Sequence, residues 1–193
     1  MPRLSKIVLS QNKEADALLT RDPLALLVGM VLDQQIPLEH AFTSPLVLSQ
    51  RLGHDLDAKE IAAYDPDKLK EIFSTPPALH RFPGSMAGRV QEMCKVVAEK
   101  YDGDAKNVWD TKDAKDLYKR IKELPGFGEQ KAKIFVALLG KQLGVQPAGW
   151  QEVSKPYGDD GTKMSVADIT DAESLLEVRA YKQQMKAAAK AAK

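Results

Sequence analysis

The stretch LYKRIKELPGFGEQKAKIF, residues 117–135, decides how this chain is read. Leu117, Tyr118 and Ile121 share one face of a first predicted helix. Ala132, Phe135, Val136 and Leu139 do the same in a second, over about 129–143. Between them Leu124-Pro-Gly-Phe-Gly128 forms a tight turn, and its glycines allow torsions and close approaches that a side chain forbids. The second helix starts at Gly128. Its first amides have no partner inside the helix and, with the helix dipole, form an anion site. A nucleic-acid phosphate docked there would position the chain without reading sequence. Taken alone, the pattern also suits a plain αα-hairpin whose glycines only close the turn.

The rest of the chain is predicted as helix after helix, so the fold class is all-α. Asp22-Pro23 reads as a cap followed by proline at the first helical position. The run from Leu24 to Leu32 is apolar on nearly every side, as befits a central core helix. It stops before Pro37, because the residue ahead of a proline avoids the α region. Further helices are expected over about 38–52, broken at Ser44-Pro45 and closed at Gly53; from Asp57; from Asp65-Pro66 to about Phe73; over 85–100 behind a breaker-rich loop; and from a cap at Thr111. Residues 3–9 hint at a strand. Residues 144–168 read as a long exposed loop, and Thr170-Asp-Ala-Glu173 as a capping box opening the terminal helix.

Composition narrows the function. Of 193 residues, 44% are hydrophobic and 28% charged, enough apolar content for a folded core. Lys+Arg 28 against Asp+Glu 27 argues against a binder working by bulk charge. A localised site stays open, and the tail is basic: 179–193 holds Arg179, Lys182, Lys186, Lys190 and Lys193 with no acid. The longest apolar run is far short of the ~20 residues of a bilayer span. No signal peptide is read at the start, so the default compartment is cytoplasmic. A single cysteine, Cys94, excludes an internal disulfide, a four-cysteine zinc site and a self-contained iron–sulfur cluster. His40, His54 and His80 show no ligand spacing, so no metal is expected from side chains.

The hairpin resembles that of the helix-hairpin-helix DNA glycosylases with a Gly/Pro-rich loop and aspartate (HhH-GPD), the base-excision-repair superfamily. The stretch DPLALLVGMVLDQQ, 22–35, is similar to the family's early core helix, with Asp33 where the family carries serine. FPGSMAGRVQ, 82–91, resembles the segment leading into the long helix before the hairpin. The similarity spans roughly 20–143 and looks closest to a cluster-free, actinobacterial-type branch. It implies a single unit over 1–193: a six-helix lobe over 20–110, the helix-hairpin-helix over 111–143, the loop over 144–168, and a basic C-terminal helix over 169–193 packing with the N-terminal segment. A cleft between two helical lobes would hold DNA with one nucleotide rotated out, since a stacked base is out of reach.

The resemblance implies DNA contacts at Gly126, Phe127, Gly128, Gln130, Lys131, Gln34 and Gln35, with Gln34 filling the gap left by the extruded base. Trp150 is the candidate to stack on that base in its pocket. The family's lysine nucleophile falls on Gln130 here. Lys131, about 100° further round the helix, is expected to point elsewhere and contact phosphate, and lyase activity is not expected. The family aspartate has no direct counterpart. Glu152, Asp160 and Asp168 are the candidates, with Asp168 best placed; the commoner role of such a carboxylate is a surface or capping group. The hairpin turn can hold a monovalent cation on backbone carbonyls; no other cofactor is implied. The implied activity is monofunctional hydrolysis of a damaged base's N-glycosidic bond by a monomer associated with the nucleoid. A non-catalytic homologue that binds distorted or branched DNA is the alternative, and a helical protein–protein module the third reading.

Overall fold

The computed structural model describes residues 6–193. Among them every regular element is helical. The described part of the strand expected over 3–9 runs extended without a β ladder; the rest of it, 3–5, lies outside the described residues. Side chains of the first helix, α1 (Lys13–Arg21), hold this segment. Asp16 accepts from the Leu9 and Ser10 amides at 3.1 and 2.8 Å, and Thr20 Oγ1 from Ile7 N–H at 3.0 Å. Three of its amides are thus satisfied by side chains of α1 rather than by a neighbouring strand. The sequence reading has no helix at α1. Its apolar face is short, only Ala15, Leu18 and Leu19 besides Asp16 being buried, although Asn12 is a good N-cap residue.

The second helix, α2 (Pro23–Leu32), is the hub. Asp22 accepts from the Leu24 and Ala25 amides, Pro23 occupies the first turn, and nine of its ten residues are buried. The third, α3 (Leu38–Leu52), crosses it closely. A Cβ on Gly29 would sit 2.6 Å from the Phe42 ring, so glycine sets how near the two approach. The expected break at Ser44-Pro45 does not occur: α3 runs through Pro45. Ser44 Oγ bonds to the carbonyls of His40 and Leu79, at 2.8 and 2.7 Å, and pins that turn to the loop behind it.

Helices α4 (Ala58–Ala63) and α5 (Pro66–Ser74) pack against the long α6 (Pro83–Lys100). Gln91 of α6 donates to the carbonyls of Ile61 and Tyr64 at the end of α4, at 3.1 and 2.7 Å. Arg51 donates to the Ile72 carbonyl of α5 at 2.6 Å. A short 3-10 turn (Ala105–Trp109) leads to α7 (Ala114–Lys122), capped by Asp113 where Thr111 is the expected cap. Thr111 instead donates to Asp116 at 2.9 Å. Then come the hairpin turn and α8 (Glu129–Leu143).

The expected long exposed loop over 144–168 is largely built. It contains the short α9 (Trp150–Val153) and a 3-10 turn (Val166–Asp168), with Ser154, Ser165, Val166, Ala167 and Asp168 buried. Side chains of α8 hold it down. Gln142 donates to Ala167 O at 2.8 Å and Lys141 pairs with Asp168 at 2.6 Å. Polar residues therefore anchor this segment, and that is why its apolar pattern is faint.

The last helix, α10 (Ala172–Ala191), opens on a capping box of Asp171 with Ser174, not Glu173. Its expected partner is the N-terminal segment. The first residues of that segment, 1–5, lie outside the described residues; among the described residues α10 lies along 33–39, where Leu175 and Val178 line a groove with Ile36 and Leu38 and Arg179 bonds Glu39.

Candidate nucleic-acid interface

The turn between α7 and α8 is built from the inside. Phe127 is buried and lies edge-on to Phe135, ring centroids 5.7 Å apart. Its amide donates to Leu124 O at 3.0 Å. Gly126 takes φ +92°, and a Cβ there would press on Val31 at 3.2 Å and Arg89 at 3.3 Å. Glycine thus serves both the left-handed torsion and the close approach to α2. Of the three turn residues expected to meet DNA, Gly126 is half-buried against α2, Phe127 faces the core and Gly128 faces solvent.

Gly128 is the N-cap of α8, with no side-chain cap. The first bond of the helix runs from Ala132 N–H to Gly128 O at 2.9 Å, leaving the amides of 129–131 without a partner inside the helix. Gly128, Glu129 and Gln130 are all exposed. This is an open amide-lined helix end, suited to an anion. Glu129 in the first turn pairs with Lys133 at 3.5 Å, which offsets part of its charge.

Beside this end lies a pocket of about 210 Å³, lined by Met30, Asp33, Gln130, Lys131, Ile134, Ser165, Val166 and Lys182. Four elements meet there: the end of α2, the start of α8, the 3-10 turn at Val166 and the middle of α10. Lys131 is the largest departure from the sequence reading. It turns inward, not out to a backbone phosphate. Its Nζ donates to Met30 O at 2.6 Å and Asp33 O at 3.4 Å. These carbonyls lie at the end of α2, where a cation is favoured. Burial lowers the Lys131 pKa, Asp33 opposes that shift, and Arg89 and Lys182 add to it. Gln130 stays at the pocket rim and donates to the Tyr157 hydroxyl at 2.9 Å.

Asp33 faces the same pocket. Burial raises its pKa, while Lys182 and Lys131 pull it back. Gln34 and Gln35 follow at the tip of the loop, and they differ. Gln34 Nε2 donates to Val31 O at 3.0 Å, so its side chain is used in closing α2. Its carbonyl accepts from the buried His80 Nε2 at 2.8 Å. Gln35 is exposed, with φ +60°, and its side chain is free to project. A groove of about 440 Å³ runs past it, between residues 33–38 and the basic face of α10, Arg179, Lys182 and Lys186.

The carboxylates named from sequence lie elsewhere. Asp168 is buried and fully engaged, accepting from Lys141 at 2.6 Å, Thr162 at 3.0 Å and the Met164 amide at 2.8 Å. Asp160 is exposed and accepts from Gln151 at 3.2 Å. Glu152 is exposed and pairs with Lys155 at 3.0 Å. None of them lines the pocket. Trp150 also lies away from it, with its ring seated on Gly140, where a Cβ would come within 2.4 Å. The pocket residues that sequence reasoning missed are Lys182, Ser165 and Asp33 as a pocket wall. Asp33 carried a signal as an acid directly after an apolar helix, and Lys182 one as part of the basic tail; Ser165 carried none.

Among the described residues no cluster of three or more His, Cys, Asp or Glu could hold a metal ion, and no helix is long and apolar enough to cross a membrane. A family model described as HhH-GPD superfamily base excision DNA repair protein matches residues 28–193. No curated protein and no solved structure matches the chain.

Proposed function

Because this chain belongs to the HhH-GPD superfamily of base excision DNA repair proteins, we propose that it binds damaged DNA and hydrolyses the N-glycosidic bond of a flipped base. The observation that supports this most is a juxtaposition. The uncapped amide end of α8 opens directly beside a pocket holding Gln130, Lys131 and Asp33. A phosphate on the amides of 129–131 would set the backbone so that the neighbouring sugar reaches the pocket mouth. Gln35, exposed at the loop tip, would fill the gap left in the duplex. Arg179, Lys182 and Lys186 would flank the strand, adding affinity by counterion release. A monovalent cation, if held on backbone carbonyls of the turn at 124–128, would supply further positive charge for a bound phosphate.

Gln130 stands where the family's lysine nucleophile is found, so base release without strand cleavage is the expected chemistry. The test is incubation of the protein with duplexes carrying single uracil, alkylated, oxidised or mismatched bases, followed by mass spectrometry of the freed base. Release from at least one duplex, with the strand intact until alkali is added, is expected. No release from any, by folded protein that still binds the duplexes, favours the non-catalytic homologue. The locked carboxylate of Asp168 is the observation on that side.

A further inference from the structure

We infer that Asp33 is the catalytic carboxylate of this protein, acting on the sugar of the extruded nucleotide. This rests on the glycosidic-hydrolysis reading above. Asp33 is the single acid among the residues lining the pocket beside the hairpin. It also forms part of the groove under α10, so it stands where the two depressions share a wall. Its backbone is fixed as the C-cap of α2, its amide donating to Gly29 O at 3.0 Å and Met30 O at 3.3 Å, and its carbonyl accepting from Lys131. The side chain, by contrast, accepts no hydrogen bond among the described residues; only burial and the charges of Lys182 and Lys131 act on it. A half-buried carboxylate on a rigid helix end, with both oxygens unspent, is the arrangement a developing cation requires. Asp168 has the opposite character, since all its acceptor capacity goes to Lys141, Thr162 and Met164.

The chemistry balances with water as the only co-reactant. The C1′–N bond breaks, and its electron pair leaves with the base nitrogen. Positive charge spreads over C1′ and the ring oxygen, facing the Asp33 carboxylate. Water adds to C1′ and gives its proton to that carboxylate, which passes it to the departing base. Burial moves the carboxyl upward, towards the range useful for a base. The charges of Lys182 and Lys131 act against that rise.

The test needs no knowledge of the lesion. Two duplexes are compared by fluorescence anisotropy, one with a neutral tetrahydrofuran abasic analogue and one with a pyrrolidine analogue whose cationic ring nitrogen replaces C1′. Wild-type protein is expected to prefer the cationic duplex by about tenfold or more, as a pocket matched to the transition state should. Asp33→Asn is expected to lose or invert that preference and to hold the neutral duplex within about twofold of wild type. Asp33→Ser is a second variant should the first fold poorly, with thermal melts run on both. Asp160→Asn is expected to retain the preference. An absent preference in wild type, or one that survives in Asp33→Asn and Asp33→Ser, overturns the assignment and leaves DNA binding standing. Failure of wild type to bind either duplex removes the DNA-repair reading and this assignment with it.

Discussion

Lys131 Nζ lies 2.6 Å from the carbonyl oxygen of Met30, so the start of α8 is tied directly to the end of α2. One long side chain connects the hairpin that would hold DNA to the helix at the centre of the core. The same device recurs in Gln91 on the end of α4 and Arg51 on the end of α5. In each case the last carbonyls of one helix are satisfied from a neighbour, which fixes their relative placement.

Lys131→Met should therefore lower stability. The bonds from a charged donor are lost, leaving Asp33 O without its partner and Met30 O with only the long bond from the Asp33 amide, a cost of about 1–3 kcal/mol. Urea unfolding followed by circular dichroism checks this. An unchanged midpoint would show the tie to be incidental.

The two hairpin glycines should separate stability from binding. Gly126→Ala meets both φ +92° and the Val31 and Arg89 side chains, and should cost about 1–3 kcal/mol. At Gly128 a Cβ would meet nothing within 4 Å, so Gly128→Ala should melt like wild type. Its methyl group would nevertheless stand at the mouth of the amide end, and affinity for duplex DNA should fall. Loss of stability without loss of binding in Gly128→Ala runs against the proposed contact.

Asp168→Ala should be among the most damaging single changes. It strands Lys141, whose side chain is 16% exposed, without its partner. Removing one member of a buried pair costs about 3–5 kcal/mol. Thermal melting reads this directly. A melting temperature near that of wild type would mean the pair contributes little.

Stability should fall as pH drops through the weakly acidic range, because of His80. Its Nδ1 accepts from the Phe82 amide at 2.9 Å, so Nε2 carries the proton and donates to Gln34 O. Burial holds its pKa below the ordinary 6.5, with the bond to Gln34 opposing. Between the lowered folded value and 6.5 the unfolded chain binds more proton than the native one, so acid favours unfolding there. Below the folded value the loss is complete. Melts of wild type and His80→Gln between pH 7.5 and 5 should converge as pH falls. Parallel curves would count against it.

The core and the hairpin were legible because apolar periodicity and glycine punctuation report them directly. Leu24 to Leu32 could only be a buried helix, and Leu124 to Gly128 could only be a tight turn. Residues 144–168 were not legible for a physical reason. Lys141, Gln142, Asp168 and Ser165 hold that segment through polar contacts, and these leave no hydrophobic period behind. The pocket was half legible. Which way Lys131 turns depends on where α8 meets α2, a long-range fact invisible in a local pattern. Lys182 reaches the pocket from far along the chain only because α10 folds back across residues 33–39.

The most direct measurement is of the hairpin itself, by titrating isotope-labelled protein with an abasic-site duplex at low salt and following backbone amide resonances. The amides of Glu129, Gln130 and Lys131 should move with saturable, salt-sensitive shifts, together with that of Gln35. Shifts confined to the lysine side of α10, with these amides unmoved, would contradict the claim that the N-terminal end of α8 grips DNA.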